Sequence, residues 1–167
     1  MALEIIPLTK QAASGDVDAV RQIMELFASS ALSLTEQDQV HILVKQMARD
    51  KHTAIYLRAI LYSHGYGVVA DDDMAYLLMR EAASKGNGHA HLWIGNFFLH
   101  GKAIVSNPEI AAYWFNLAAN DPYYLPEAMY ALAQLYEVGK GVEINQAIAR
   151  AWYERAAAMG ISKPSHS

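Results

Sequence analysis

Seven histidines stand in a chain of 167 residues that has no cysteine, and imidazole is the side chain here that most readily invites metal chemistry. His89-x-His91 looks like a ligand pair. On a helix, however, residues two apart point about 200° away from each other and cannot converge on one ion. His89 and His100 share a helical face but stand about 16 Å apart along its axis. His64 and His100 occupy equivalent places in a repeat, and as neighbours on stacked helices they would still need a third ligand to hold zinc. A hydrolase or metal-dependent enzyme built on that histidine pair is the alternative from the enzyme class. No S-x-x-K, G-x-S-x-G or H-E-x-x-H is present, so no catalytic residue, metal or cofactor is expected.

Two glycine-rich stretches raise the question of phosphate binding: YSHGYGV at 62–68 and YEVGKGV at 136–142. A phosphate loop needs G-x(4)-G-K-[ST] after a strand, and a dinucleotide loop needs G-x-G-x-x-G in a βαβ unit. Neither is completed. Gly65, Gly67, Gly101, Gly139 and Gly141 read instead as residues that end a helix and turn the chain. Asp71-Asp72-Asp73 has a similar explanation, because acidic residues in a first helical turn are favoured by the helix dipole.

The composition sets wider limits. With 53% hydrophobic and 18% charged residues, the chain can bury a substantial core. A net charge of -4 argues against nucleic acid, whose binding needs a basic face. The start MALEIIPLTK lacks a basic region followed by an apolar run, and no stretch approaches 18 uninterrupted apolar residues. A cytoplasmic protein without membrane insertion is therefore expected.

The elements that must carry any function emerge from internal repetition. With Ala54, Ala90 and Ala128 as position 1, position 6 is small (Ala59, Gly95, Ala133), position 9 aromatic (Tyr62, Phe98, Tyr136) and position 12 glycine (Gly65, Gly101, Gly139). Later come Ala75, Ala111 and Ala149, then Leu78, Trp114 and Trp152, then Ala82-Ala83, Ala118-Ala119 and Ala156-Ala157. Positions 1, 5, 8, 9 and 12 follow a helical stripe, as do 22, 25 and 29. Each unit is thus two helices joined by a short loop. Asp71, Asn107 and Asn145 stand where the second helix begins, as caps.

This pattern resembles the Sel1-like repeat, a relative of the tetratricopeptide repeat. AMYALAQLYEVGKGVEINQAIARAWYERAAAMG carries the likeness best, and AIYLRAILYSHGYGVVADDDMAYLLMREAASKG nearly as well. The resemblance implies an all-α solenoid, a right-handed superhelix of about eight or nine helices. The expected division is a degenerate N-terminal repeat or cap over 1–52, repeats over 53–88, 89–125 and 126–162, and a disordered tail over 163–167. In the middle repeat Ala103 replaces the second glycine, and a left-handed conformation there would cost about 1 to 2 kcal/mol. Its loop is expected to take another path.

In the first 52 residues two amphipathic helices are expected, over 16–30 and 35–50, after a short helix near Thr9 to Ala13. Ser33 or Thr35 would cap the second of the pair. At the other end, the Ala-rich surface of the last helix is a candidate for self-association, giving a homo-oligomer, or for docking a partner.

Positions 0, 3, 4, 7 and 11 of each first helix face away from the core stripe, and in a superhelix of the resembled type this face lines a concave groove. It carries Tyr56, Leu57, Ile60 and His64; His89, Trp93, Asn96 and His100; and Tyr130 and Gln134, with Glu137 at its margin. Aromatic, imidazole and amide groups alternate where a merely solvated face would carry Lys and Glu. Such groups bind peptides through rigid ring contact and adaptable hydrogen bonds. The reading is a non-enzymatic adaptor, scaffold or regulatory module for a protein or peptide partner. Alternatives in the binding class are a dedicated inhibitor of one protein and a self-assembling scaffold.

Overall fold

The computed structural model describes residues 5–48, 51–101, 105–120 and 122–161. Among them are nine α-helices and no strand, in two compact units, residues 1–87 and 88–167. Ala103 and the tail expected over 163–167 lie outside the described residues.

The first unit holds α1 (Ile5–Ala13), α2 (Val17–Ala28), α3 (Leu34–Met47), α4 (His52–His64) and α5 (Asp72–Ser84). Helix α1 starts earlier than its sequence suggested, with Pro7 inside the first turn, where a helix needs no N–H donor. Asp16 caps α2 by accepting from the Ala19 N–H. Ser33 caps α3 in a reciprocal box with Glu36, whose carboxylate accepts from the Ser33 backbone N–H at 2.9 Å. The Ser33 hydroxyl, which donates to the same carboxylate at 2.6 Å, and then that backbone bond hold the Glu36 carboxyl below its ordinary pKa.

Helices α1 and α4 meet end to start. The Thr53 hydroxyl donates to the Ala13 carbonyl at 2.6 Å, and the Lys51 ammonium donates to Ser14. In the second unit the Leu125 N–H donates to the Ala118 carbonyl at 2.9 Å, a comparable junction between consecutive repeats. Thus α1 stands to α4 as the second helix of a preceding repeat would, with α2 and α3 intervening in sequence. Ile5, Ala12, Ile23, Phe27, Val40, Val44, Leu57 and Leu61 close into one core.

The second unit is two successive helix pairs: α6 (Gly88–His100) with α7 (Pro108–Ala119), and α8 (Pro126–Val138) with α9 (Gln146–Ala158). Asn107 and Asn145 cap α7 and α9, as Asp71 caps α5 in the first unit, each side chain accepting from the N–H three residues on. Small residues set the packing. A methyl group added at Gly95 would come within 2.5 Å of the Phe115 ring, which is fully buried. That glycine lets α6 and α7 close on a ring whose burial contributes about 2 to 3 kcal/mol.

The loop glycines Gly65, Gly67, Gly101, Gly139 and Gly141 all have φ between 68° and 72°. At Gly141 two demands coincide. The conformation is left-handed, and a Cβ there would collide with the backbone of Pro108 at the start of α7. The loop of one repeat therefore lies directly on the helix start of the repeat before it.

Candidate interaction faces

In the second unit, α6 carries His89, Trp93, Asn96 and His100 at intervals of four, three and four, which is one helical stripe. His89 and Trp93 are half-buried; Asn96 and His100 are exposed. The indole of Trp93 stacks on Phe97 at 5.1 Å between ring centroids, so one side of it is held and its orientation is set. The Asn96 amide donates to the Leu92 carbonyl at 3.1 Å, which leaves its oxygen as an acceptor.

On α8 the corresponding stripe is Tyr130, Gln134 and Glu137. Tyr130 is half-buried and meets the ring of Tyr153 edge to face at 5.3 Å. The Tyr153 hydroxyl donates to Glu137 Oε2 at 2.7 Å. Burial, and then the hydrogen bond and charge of Glu137, push the Tyr153 phenol well above its ordinary pKa; it is a neutral donor over the whole physiological range. Beside it lies an open concavity of about 680 Å³ bordered by Glu137, Gln146, Ala147, Arg150, Tyr153 and Glu154.

Tyr153 escapes a reading of the first helices alone because it belongs to the second helix of its repeat. Its place in the register is held by Met79 and Phe115 in the other repeats, and both are fully buried. The one visible signal was a hydroxyl at a position otherwise filled by apolar side chains.

The first unit departs from expectation. Tyr56 is half-buried and His64 exposed, but Leu57 and Ile60 are only 0% and 4% exposed and do not line a surface. The reason is local: α1 and α3 pack against α4, and Leu57 joins their core. His64 stacks on Tyr66 at 5.1 Å, Tyr66 stacks on Phe27 at 4.9 Å, and His64 Nδ1 lies 3.1 Å from the Ile60 carbonyl. The ring is thereby ordered at the end of α4.

Of the His89-x-His91 pair, the second is a core residue. His91 is 8% exposed, stacked against Trp114 at 5.5 Å and tilted against Tyr123 at 5.1 Å, and burial lowers its pKa. Among the described residues no group of three His, Asp or Glu side chains is placed to hold a metal ion. No helix among them is long and apolar enough to cross a membrane.

Comparison with known proteins agrees with this architecture. A family model described as the Sel1 repeat matches residues 52–87, 88–123 and 126–161. The chain is 37% identical over 84 residues to human protein sel-1 homolog 2, covering 50% of this chain and 12% of that protein. It is 35% identical over 104 residues to the chitin synthase regulator SKT5 of Saccharomyces cerevisiae, covering 60% of this chain and 15% of that protein. The chain thus spans well under a fifth of the length of these two relatives. The crystal structure of a Sel1 repeat protein from Oxalobacter formigenes is similar with a TM-score of 0.64 at 30% identity, over 71% of this chain and 88% of that one.

Proposed function

Given that the chain belongs to the Sel1 repeat family, an all-α repeat fold that generally serves protein-protein interaction, we propose that it is a non-enzymatic interaction module for a peptide or protein partner. The partner lies on the first-helix faces of the repeats. The observation that carries this reading is the composition of the second unit's face: Trp93, Asn96, His100, Tyr130, Gln134 and Glu137 are all half-buried or exposed. Rings held on one side by Phe97 and Tyr153 offer rigid contact area, and amides and imidazoles supply hydrogen bonds. In the first unit, taken by itself, Tyr56 and His64 are the accessible members of the expected α4 face, and Leu57 and Ile60 are buried. SKT5, a regulator by name, suggests a regulatory adaptor. In this reading the module works in the cytoplasm, with residues 1–52 as a cap on three repeats.

The test is capture of partners from native lysate by wild type, by Trp93→Ala and by Trp93→Ala combined with Tyr130→Ala, with helicity checked by circular dichroism. Loss of a partner from variants that retain wild-type helicity supports the face. Retention of every partner by the folded double variant removes it.

A second reading is favoured by the exposed side of α9 and the concavity beside Tyr153: a second copy of the chain, or a partner, stacks on α9. A concentration-dependent mass in analytical ultracentrifugation, abolished by Ala151→Glu, would support the homo-oligomer.

A further inference from the structure

The first unit contains a break in the repeat register at position 5 of its first helix. Position 5 of the first helix is Ile94 in one repeat and Leu132 in another, exposed 0% and 1%; in the first repeat it is Arg58. Its guanidinium lies over the ring of Tyr62 at 5.6 Å, and His41 of α3 meets the same ring edge to face at 5.9 Å. Arg58 Nε and His41 Nδ1 are both buried and have no hydrogen-bond partner among the described residues. Burying polar atoms unpaired is costly, and a leucine here would avoid the cost.

What lies in front of Arg58 is a concavity of about 510 Å³ lined by Ile42, Lys45, Gln46, Ala48, Arg58 and Glu81. Neither Lys45 nor Arg58 makes an ion pair among the described residues. The acid at the rim, Glu81, is already paired with Lys85 at 3.2 Å. Two cations without an ion pair among the described residues therefore border one hollow in a chain whose net charge is -4. A guanidinium lying over a ring can still donate in its plane from its terminal nitrogens, a geometry suited to carboxylate. The rest of the lining is apolar at Ile42 and Ala48 and carries an amide at Gln46, which suits a peptide better than a bare ion.

We propose that this hollow between α3, α4 and α5 binds a carboxylate side chain of an acidic peptide segment, with Arg58 and Lys45 as its cationic contacts. It is a separate site from the repeat faces and does not rest on them. His41 supplies a reporter: burial first, then Arg58 and Lys45, lower its pKa, with Asp38 opposing. A bound carboxylate would raise it.

The experiment is an NMR titration of the full chain at low ionic strength with an oligoglutamate peptide, and in separate arms with oligolysine and inorganic phosphate. Oligoglutamate is expected to shift the amide signals of Ile42 and Gln46 and to raise the His41 pKa. Arg58→Leu and Lys45→Gln should each weaken it by at least about fivefold, while Arg58→Leu melts no lower than wild type. Unchanged affinity in both variants overturns the proposal, as does a response to phosphate as strong as that to oligoglutamate. If Arg58→Leu does not fold, the exposed Lys45→Gln decides alone.

Discussion

The two units fill one repeat register in different ways. Position 1 is a fully buried alanine in all three repeats, Ala54, Ala90 and Ala128. Position 5 is apolar core in the second unit and Arg58 in the first. The difference follows from the neighbours. In the second unit the repeat helices pack on one another, and a charge at position 5 would be sealed among them. In the first unit α4 meets α3, a helix outside the repeat pattern that brings His41 and Lys45 to the same side. Residues that let helices approach closely are common to every repeat, whereas residues facing a particular neighbour vary with it.

The largest effect that would sharpen this comparison lies at position 26. Phe115→Ala should cost about 3 to 5 kcal/mol in urea unfolding, because its ring is enclosed. Tyr153→Ala at the equivalent, half-buried place should cost less than half as much. Equal losses would mean that α9 is as enclosed as α7.

A smaller effect is expected at position 6. Gly95→Ala places a methyl group against Phe115 and should cost about 1 to 3 kcal/mol by overpacking. Ala133→Gly should cost about 1 kcal/mol, through backbone entropy. A stabilised Gly95→Ala variant would show that the Phe115 ring can move aside.

The smallest effects are those of pH and salt. His91 in the second unit is held below the ordinary histidine pKa of 6.5 by burial, whereas His41 in the first is lowered by burial together with Arg58 and Lys45. In both cases the unfolded chain takes up a proton more readily than the folded one. Their contribution to stability is therefore present above about pH 6.5 and is lost as pH falls through the folded values. Raising ionic strength to about 0.5 M shortens the screening length to under about 5 Å. The NMR titration of His41 should then move upward while that of His91 stays in place; a parallel movement would refute the assignment of different causes.

Much of the local structure was legible in the residues. Asp71, Asn107 and Asn145 announced three helix starts, and the pair Ser33 or Thr35 a fourth, of which Ser33 is the cap, because a cap bonds to an N–H only three residues away. Glycines at positions 12 and 14 announced the turns for a similarly local reason. Leu57 and Ile60 were misread as surface because the register of α4 says nothing about α1 and α3 lying over it. Tyr153 was missed because its significance comes from Tyr130 and Glu137 on another helix.

The sequence by itself determined that the elements are paired helices, together with several of their caps and the glycine turns, since each depends on hydrogen bonds and steric limits spanning a few residues. Only the tertiary structure decided which faces remain open. Burial is a property of the neighbour as much as of the residue, and the same register position is core beside one helix and the wall of a charged hollow beside another.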